Sequence, residues 1–169
     1  MDSKQLIERL LRVDDATGTQ RSRALHRARA PYQLLEVRGV DAAEFLQRLC
    51  TQDVLAMDDG DLRPAAFLDA KGKLLATCLV VRSRGAFFLE AQTDQAQRLL
   101  ALLERYHFSE KLTIRAVGRT CSEVVGRAAL ASPTPVVLAS DEHQLSFVFE
   151  RRGISFRRAH ALGDGALAL

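Results

Sequence analysis

The sequence predicts an α+β fold: a mostly antiparallel sheet with two packed helices, followed by a short β-rich segment. Three observations carry that expectation. Between residues 31 and 118, strand-forming runs alternate with two helically periodic stretches, in the order strand, helix, three strands, helix, strand. Two of the strands flank Asp69-Ala70-Lys71-Gly72, where Asp caps a turn and Gly accepts positive φ. Beyond residue 119, four more short strand-forming runs follow with turn residues between them.

Taken in chain order, Leu6, Ile7, Leu10 and Leu11 fall at helical spacing in an amino-terminal arm, residues 1–30. Asp14 to Thr19 interrupts this helix, and the basic stretch Arg21 to Arg29 is compatible with a second one up to Pro31. That basic stretch reads as a solvated face; it lacks the interleaved aromatics that stacking on single-stranded nucleic acid requires. Tyr32 to Val37 is the first strand of the main domain, residues 31–118, and Gly39 ends it. Asp41 and Glu44 form a capping-box pattern, and Ala42, Phe45, Leu46, Leu49 and Cys50 share one face of the helix they open. Leu62 to Leu68 and Lys73 to Arg82 make the hairpin. Because both alternating sets of Leu74 to Val81 are mainly apolar, this is expected to be the most buried strand, with Cys78 inaccessible. Ser83-Arg84-Gly85 turns into Ala86 to Ala91. Thr93 or Asp94 then opens a helix reaching about Tyr106, with Ala96, Leu99, Leu100, Leu103 and Tyr106 inward. Leu112 to Val117 returns as a strand. In the extension, residues 119–169, the strand candidates are Ser122 to Val125, Val136 to Ala139, Leu145 to Phe149 and Ile154 to Phe156, and the tail after His160 is expected to fray.

Composition narrows the class. A chain of 169 residues with 47% hydrophobic and 27% charged side chains suits one domain, or two small lobes sharing a core. No apolar run reaches membrane-spanning length, and the start of the chain does not read as a secretory signal. Cys50, Cys78 and Cys121 are odd in number and lie among apolar residues, as reduced thiols of a cytoplasmic protein do.

Self-sufficient catalytic signatures are missing from the sequence. It has no G-x-G-x-x-G, no phosphate loop and no G-x-S-x-G. No two cysteines have C-x-x-C spacing, and His26, His107, His143 and His160 stand far apart, so no metal is expected from a local cluster. Asp58, Asp59 and Asp61 do not supply the ligand spacing of a calcium loop.

Longer patterns say more. The strings LLEVRGVDAAEFLQRLCTQDV, AAFLDAKGKLLATCLVVR, AFFLEAQ and LLERYHFSEKLTIRAV occur in that order. Together they resemble the YgfZ branch of the glycine-cleavage T-protein (aminomethyltransferase) folate-binding family. The matching positions are Gly39, Asp41, Ala42, Phe45, Leu46, Gln47, Thr51, Asp53, Val54, Asp69, Lys71, Gly72, Tyr106, Phe108, Lys111 and Ile114. The resemblance covers residues 32 to 118 and implies a chain cut to the amino-terminal half of the family's fold. It implies tetrahydrofolate as the ligand. The transferases of the family carry acids soon after the hairpin glycine; here that stretch is Gly72-Lys73-Leu74-Leu75-Ala76-Thr77. The later K-G-C-x-x-G-Q motif of the YgfZ branch has no counterpart.

The resemblance therefore implies a non-catalytic, folate-binding-like protein, a helper in one-carbon or iron–sulfur enzyme maintenance. The alternative is an accessory subunit that docks in a larger complex without folate. Candidate ligand positions are Gln47, Thr51, Asp53, Asp69, Lys71, Gly72 and Arg82, each with a plain reading beside it. Asp69, Lys71 and Gly72 are turn residues, while Gln47, Thr51 and Asp53 close a helix and shape a loop. No catalytic residue is assigned. A homodimer or hetero-complex is expected, through the amino-terminal stripe or the strands bearing Phe147, Phe149 and Phe156, because a chain without the family's later lobes must cover the faces they protect.

Overall fold

The computed structural model describes residues 25–27, 30–126, 136–140, 143–151 and 154–163; the stripe of Leu6, Ile7, Leu10 and Leu11 lies outside them. The elements are β1 (Leu25–Arg27), β2 (Tyr32–Gly39), α1 (Ala42–Leu49), β3 (Leu62–Leu68), β4 (Leu74–Ser83), β5 (Ala86–Gln92), α2 (Thr93–Tyr106), β6 (Leu112–Ala116), β7 (Gly118–Gly126), β8 (Val136–Ser140), β9 (Gln144–Arg151) and β10 (Ile154–Leu162). They build two five-stranded antiparallel sheets, ordered β3-β4-β5-β2-β6 and β1-β7-β10-β9-β8. The fold is α+β, as the alternation of periods requires.

The first sheet is sandwiched. On one face Leu35, Val37, Cys78, Val80, Phe87 and Leu89 pack with Phe45 and Leu46 of α1 and Ala96, Leu99 and Leu103 of α2. On the other, Leu34, Val81 and Phe88 meet Leu145 and Phe147 of β9 in the second sheet. The pleat explains the split, because neighbours along a strand point to opposite faces. Phe147 is thus consumed inside the chain. Among the described residues no helix is long and apolar enough to cross a membrane.

Four local expectations need correction. The most buried strand is β5, where only Gln92 is exposed, and not Leu74 to Val81. β5 is the middle strand and has cover on both faces. Residues 74–77 of β4, by contrast, pair only with β3, and Leu74 and Leu75 are exposed. Cys78 itself is buried as expected. Asp41 stands at the start of α1, but its side chain makes no cap; it accepts the Lys111 N–H at 2.6 Å instead. Tyr106 is exposed at the last residue of α2, whose buried face is carried by Ala96, Leu99 and Leu103. Within the basic stretch 21–29, Leu25–Arg27 is strand and not helix, since its backbone pairs with Glu123 to Val125 of β7. The later strands run longer than their apolar cores suggested; β10 continues to Leu162, and residues 164–169 are outside the description.

Burial also sets the chemistry of the thiols. It pushes Cys78 far above the ordinary thiol range and, with the Glu90 carboxylate nearby, pushes Cys121 up to about 12. A raised acid pKa means that the fold keeps protons the unfolded chain releases above its ordinary value of 9.0. The stability these thiols contribute is complete below that pH and is lost as pH climbs towards Cys121's folded value. Urea midpoints should therefore decline on the alkaline side, and decline less in Cys78→Ala and Cys121→Ala variants.

Candidate functional site

The residues singled out by sequence fall into two neighbouring groups. The first surrounds the loop between α1 and β3. Gln47 Oε1 accepts the N–H groups of Val54 at 2.8 Å and Leu55 at 3.3 Å. Thr51 Oγ1 accepts from Ala66 N at 3.0 Å, while Thr51 N donates to Ala66 O at 2.9 Å, so this loop caps the β3 edge. Asp53 Oδ1 holds Ala56 N at 3.3 Å. Arg82 reaches in from β4, donates to the Met57 carbonyl and lies 5.5 Å from the Phe87 ring centroid.

The second group is the β3–β4 turn. Asp69 Oδ1 accepts from both Lys71 N and Lys73 N at 2.8 Å, and Gly72 takes φ +78°. That is the Asx-capped turn the sequence called for. Beside it, Lys73, Leu74, Leu75, Ala76, Arg98 and Leu102 line a shallow cavity of about 280 Å³. Its floor is apolar, and Lys73 and Arg98 bring the charge. Thr77, at the end of the acid-free stretch, bonds through Oγ1 to Gln95 Oε1 at 3.2 Å. None of the seven positions singled out by sequence lines this cavity: Asp69, Lys71 and Gly72 form the turn next to it, and Gln47, Thr51, Asp53 and Arg82 belong to the first group.

The glycine and aspartate of the motif at 39–41 have a job of their own. Gly39 has φ +151°, and a Cβ there would stand 2.5 Å from Leu112 Cα and nearer still to Lys111 O. With Asp41 on Lys111 N, the motif fixes the start of β6 against α1. Arg48 adds a 2.6 Å contact to Glu110, and Phe45 meets His107 edge-on at 6.1 Å. The Glu110 carboxyl is held down at about 2 by the N–H of Phe108, its own N–H, that of Ser109, and Arg48. The first and last pieces of the resemblance thus touch each other and serve the scaffold.

A second polar cluster, which sequence reasoning missed, lies between the sheets. Glu90 of β5 is 2% exposed, and its Oε2 takes the Arg158 Nη1. Arg158 also donates from Nε to Glu123 Oε2 at 2.7 Å and sits 3.5 Å above the Tyr32 ring centroid. Burial works against the charged guanidinium, but the carboxylates of Glu90 and Glu123 outweigh it and keep Arg158 charged. Glu90 Oε1 is 2.6 Å from His160 Nε2, which is 3.6 Å from Cys121 Sγ. The signal was available: a glutamate in the middle of AFFLEAQ, and arginine and histidine two apart on one face of β10.

The scaffold is a two-sheet α+β fold with two helices on one face of the first sheet. The chain belongs to the GCVT N-terminal domain family, which matches residues 30–144. It is similar to an uncharacterized protein of Haemophilus influenzae, 31% identical over 108 residues, covering 59% of this chain and 39% of that protein. Its fold is similar to that of the glycine cleavage system aminomethyltransferase T from Bartonella henselae, with a TM-score of 0.68 at 20% identity. That likeness covers 83% of this chain and 42% of the other. The chain thus spans about two fifths of the length of either relative.

Proposed function

We propose that this chain is a non-catalytic folate-binding-like protein of the YgfZ type, a helper in one-carbon or iron–sulfur enzyme maintenance, which holds a reduced folate at the groove beside the β3–β4 turn. One observation carries the reading. The groove offers Leu74, Leu75, Ala76 and Leu102 to a flat ring, with Lys73 and Arg98 for a carboxylate, while no acid stands where the transferases carry one. Its volume of about 280 Å³ is just below the usual range for a small-molecule pocket, so it suits one ring system with the rest of the ligand outside. Tetrahydrofolate titrated into the full chain and followed by calorimetry should bind, and Arg98→Glu should weaken it about tenfold or more, the effect of losing one charge-assisted contact. Methylene transfer from a carrier-bound aminomethyl donor should stay at background. Turnover, or no heat at all, would each defeat a part of this reading.

The exposed apolar side chains favour the docking reading as a second possibility. Leu68, Leu74 and Leu75 are exposed at the hairpin, and Val40 and Phe108 are more than four-fifths exposed near the start of α1 and the end of α2. Light scattering at micromolar concentration, for the wild type and a Leu75→Lys variant, tests it. A dimer that dissociates in the variant supports docking; a monomer in both excludes self-association through the hairpin.

A further inference from the structure

We propose that Glu90, Cys121 and His160 form a binding site for a divalent transition-metal ion of the zinc type, buried between the two sheets. Their ligand atoms lie within 4.8 Å of one another, and all three residues are buried. Carboxylate, thiolate and imidazole form a donor set that zinc accepts, and three protein ligands leave a fourth position for water.

One of the three ligand–ligand edges already has the length such an ion needs. Zn–S near 2.3 Å and Zn–N near 2.05 Å at a tetrahedral angle put sulfur and nitrogen about 3.6 Å apart. Cys121 Sγ and His160 Nε2 are 3.6 Å apart already. His160 Nε2 and Glu90 Oε1, at 2.6 Å, have to part to about 3.3 Å, the edge expected for two light ligands around one ion. Glu90 Oε1, which lies within 4.8 Å of Cys121 Sγ, is the ligand atom that has to shift when the ion binds.

The surroundings act as supports for the ligands. Arg158 holds the other oxygen of Glu90, leaving Oε1 turned towards His160 and Cys121. A hydrogen bond of this kind orients a ligating carboxylate. His160 is stacked on Phe147, ring centroids 5.9 Å apart, which fixes the plane of the imidazole. Its Nδ1 has no partner among the described residues and is the nitrogen that bears the proton when Nε2 ligates. Charge balances as well: a dication with the Cys121 thiolate and the Glu90 carboxylate is neutral, and Arg158 with Glu123 is neutral. On binding, the thiol proton of Cys121 leaves to solvent, and the neutral imidazole carries its one proton on Nδ1 so that the Nε2 lone pair faces the ion. The sequence concealed the site because its ligands come from three strands, 31 to 70 residues apart.

Cobalt(II) titrated into the chelator-stripped full chain is the test. One equivalent should produce the visible bands of a tetrahedral site, a thiolate-to-cobalt charge-transfer band in the near ultraviolet, and a higher Tm. The charge-transfer band should vanish in Cys121→Ser and survive in Cys50→Ser and Cys78→Ser, with folding of each confirmed by circular dichroism. If Cys121→Ser does not fold, His160→Gln, which should shift the visible bands and lower affinity at least tenfold, takes its place. No band in the wild type, or a band indifferent to both substitutions, overturns the proposal.

Discussion

Replacing Arg158 with methionine is expected to destabilise the protein by about 3–5 kcal/mol, the penalty for leaving buried carboxylates without their counter-charge. Arg158 is 6% exposed and answers two glutamates, Glu90 from the first sheet and Glu123 from the second. Methionine fills much of the same volume, so lost packing is a minor part of the effect. The penalty should fall sharply in the triple variant Glu90→Gln, Glu123→Gln, Arg158→Met, because no net charge then stays buried. Urea denaturation followed by circular dichroism measures both. A loss below about 1 kcal/mol for the single substitution would mean that water reaches the cluster and that its charges are solvated.

Gly39→Ala carries the second large effect. The backbone there is in a region that side chains rarely adopt, and the added methyl would collide with backbone atoms of Lys111 and Leu112, which cannot swing aside as a side-chain tip can. Strain of about 1–3 kcal/mol adds to displacement of β6 from its pairing with β2, where Gly39 stands opposite Leu112. A total of about 3 kcal/mol or more is expected, with early hydrogen exchange in β6 while β4 and β5 stay protected. Gly72→Ala is the contrast: its Cβ meets nothing within 4 Å, so only the φ of +78° opposes it, and its loss should be the smaller of the two.

These two positions also show what was legible in the sequence. The order of elements around the hairpin was readable because periodicity changes from two to nearly four at each boundary, as at Phe45-Leu46 and again at Leu99-Leu103. The turn at Asp69 to Gly72 was readable because its chemistry is local. Burial was not, because it depends on which layers cover a strand: LLATCLVV looks more central than AFFLEAQ, yet the second lies in the middle of the sheet. Asp41 fitted a local cap, but a contact seventy residues away claimed its carboxylate. Of the candidate site, the hairpin was visible, whereas Arg98 is one exposed charge on a helix until the fold sets it beside Lys73. Each strand carried a trace of the ionic cluster, Glu90 within AFFLEAQ and Arg158 with His160 on one face of β10, but which strands meet is decided only when the two sheets stack.

The pairing of β1 with β7 has a consequence for how the molecule is made. Leu25 finds its partner at Val125, about a hundred residues later, and β7 in turn needs β10 beside it. On a ribosome the helix-covered sheet can assemble once residue 116 has emerged, with Leu34, Val81 and Phe88 bare on its other face. Until β9 and β10 arrive, that face stays bare, and β1 waits for β7. Contacts of such long range slow folding and leave a window for aggregation. The nascent chain therefore meets a hazard in the interval between completion of the helix-covered sheet and the arrival of β9 and β10.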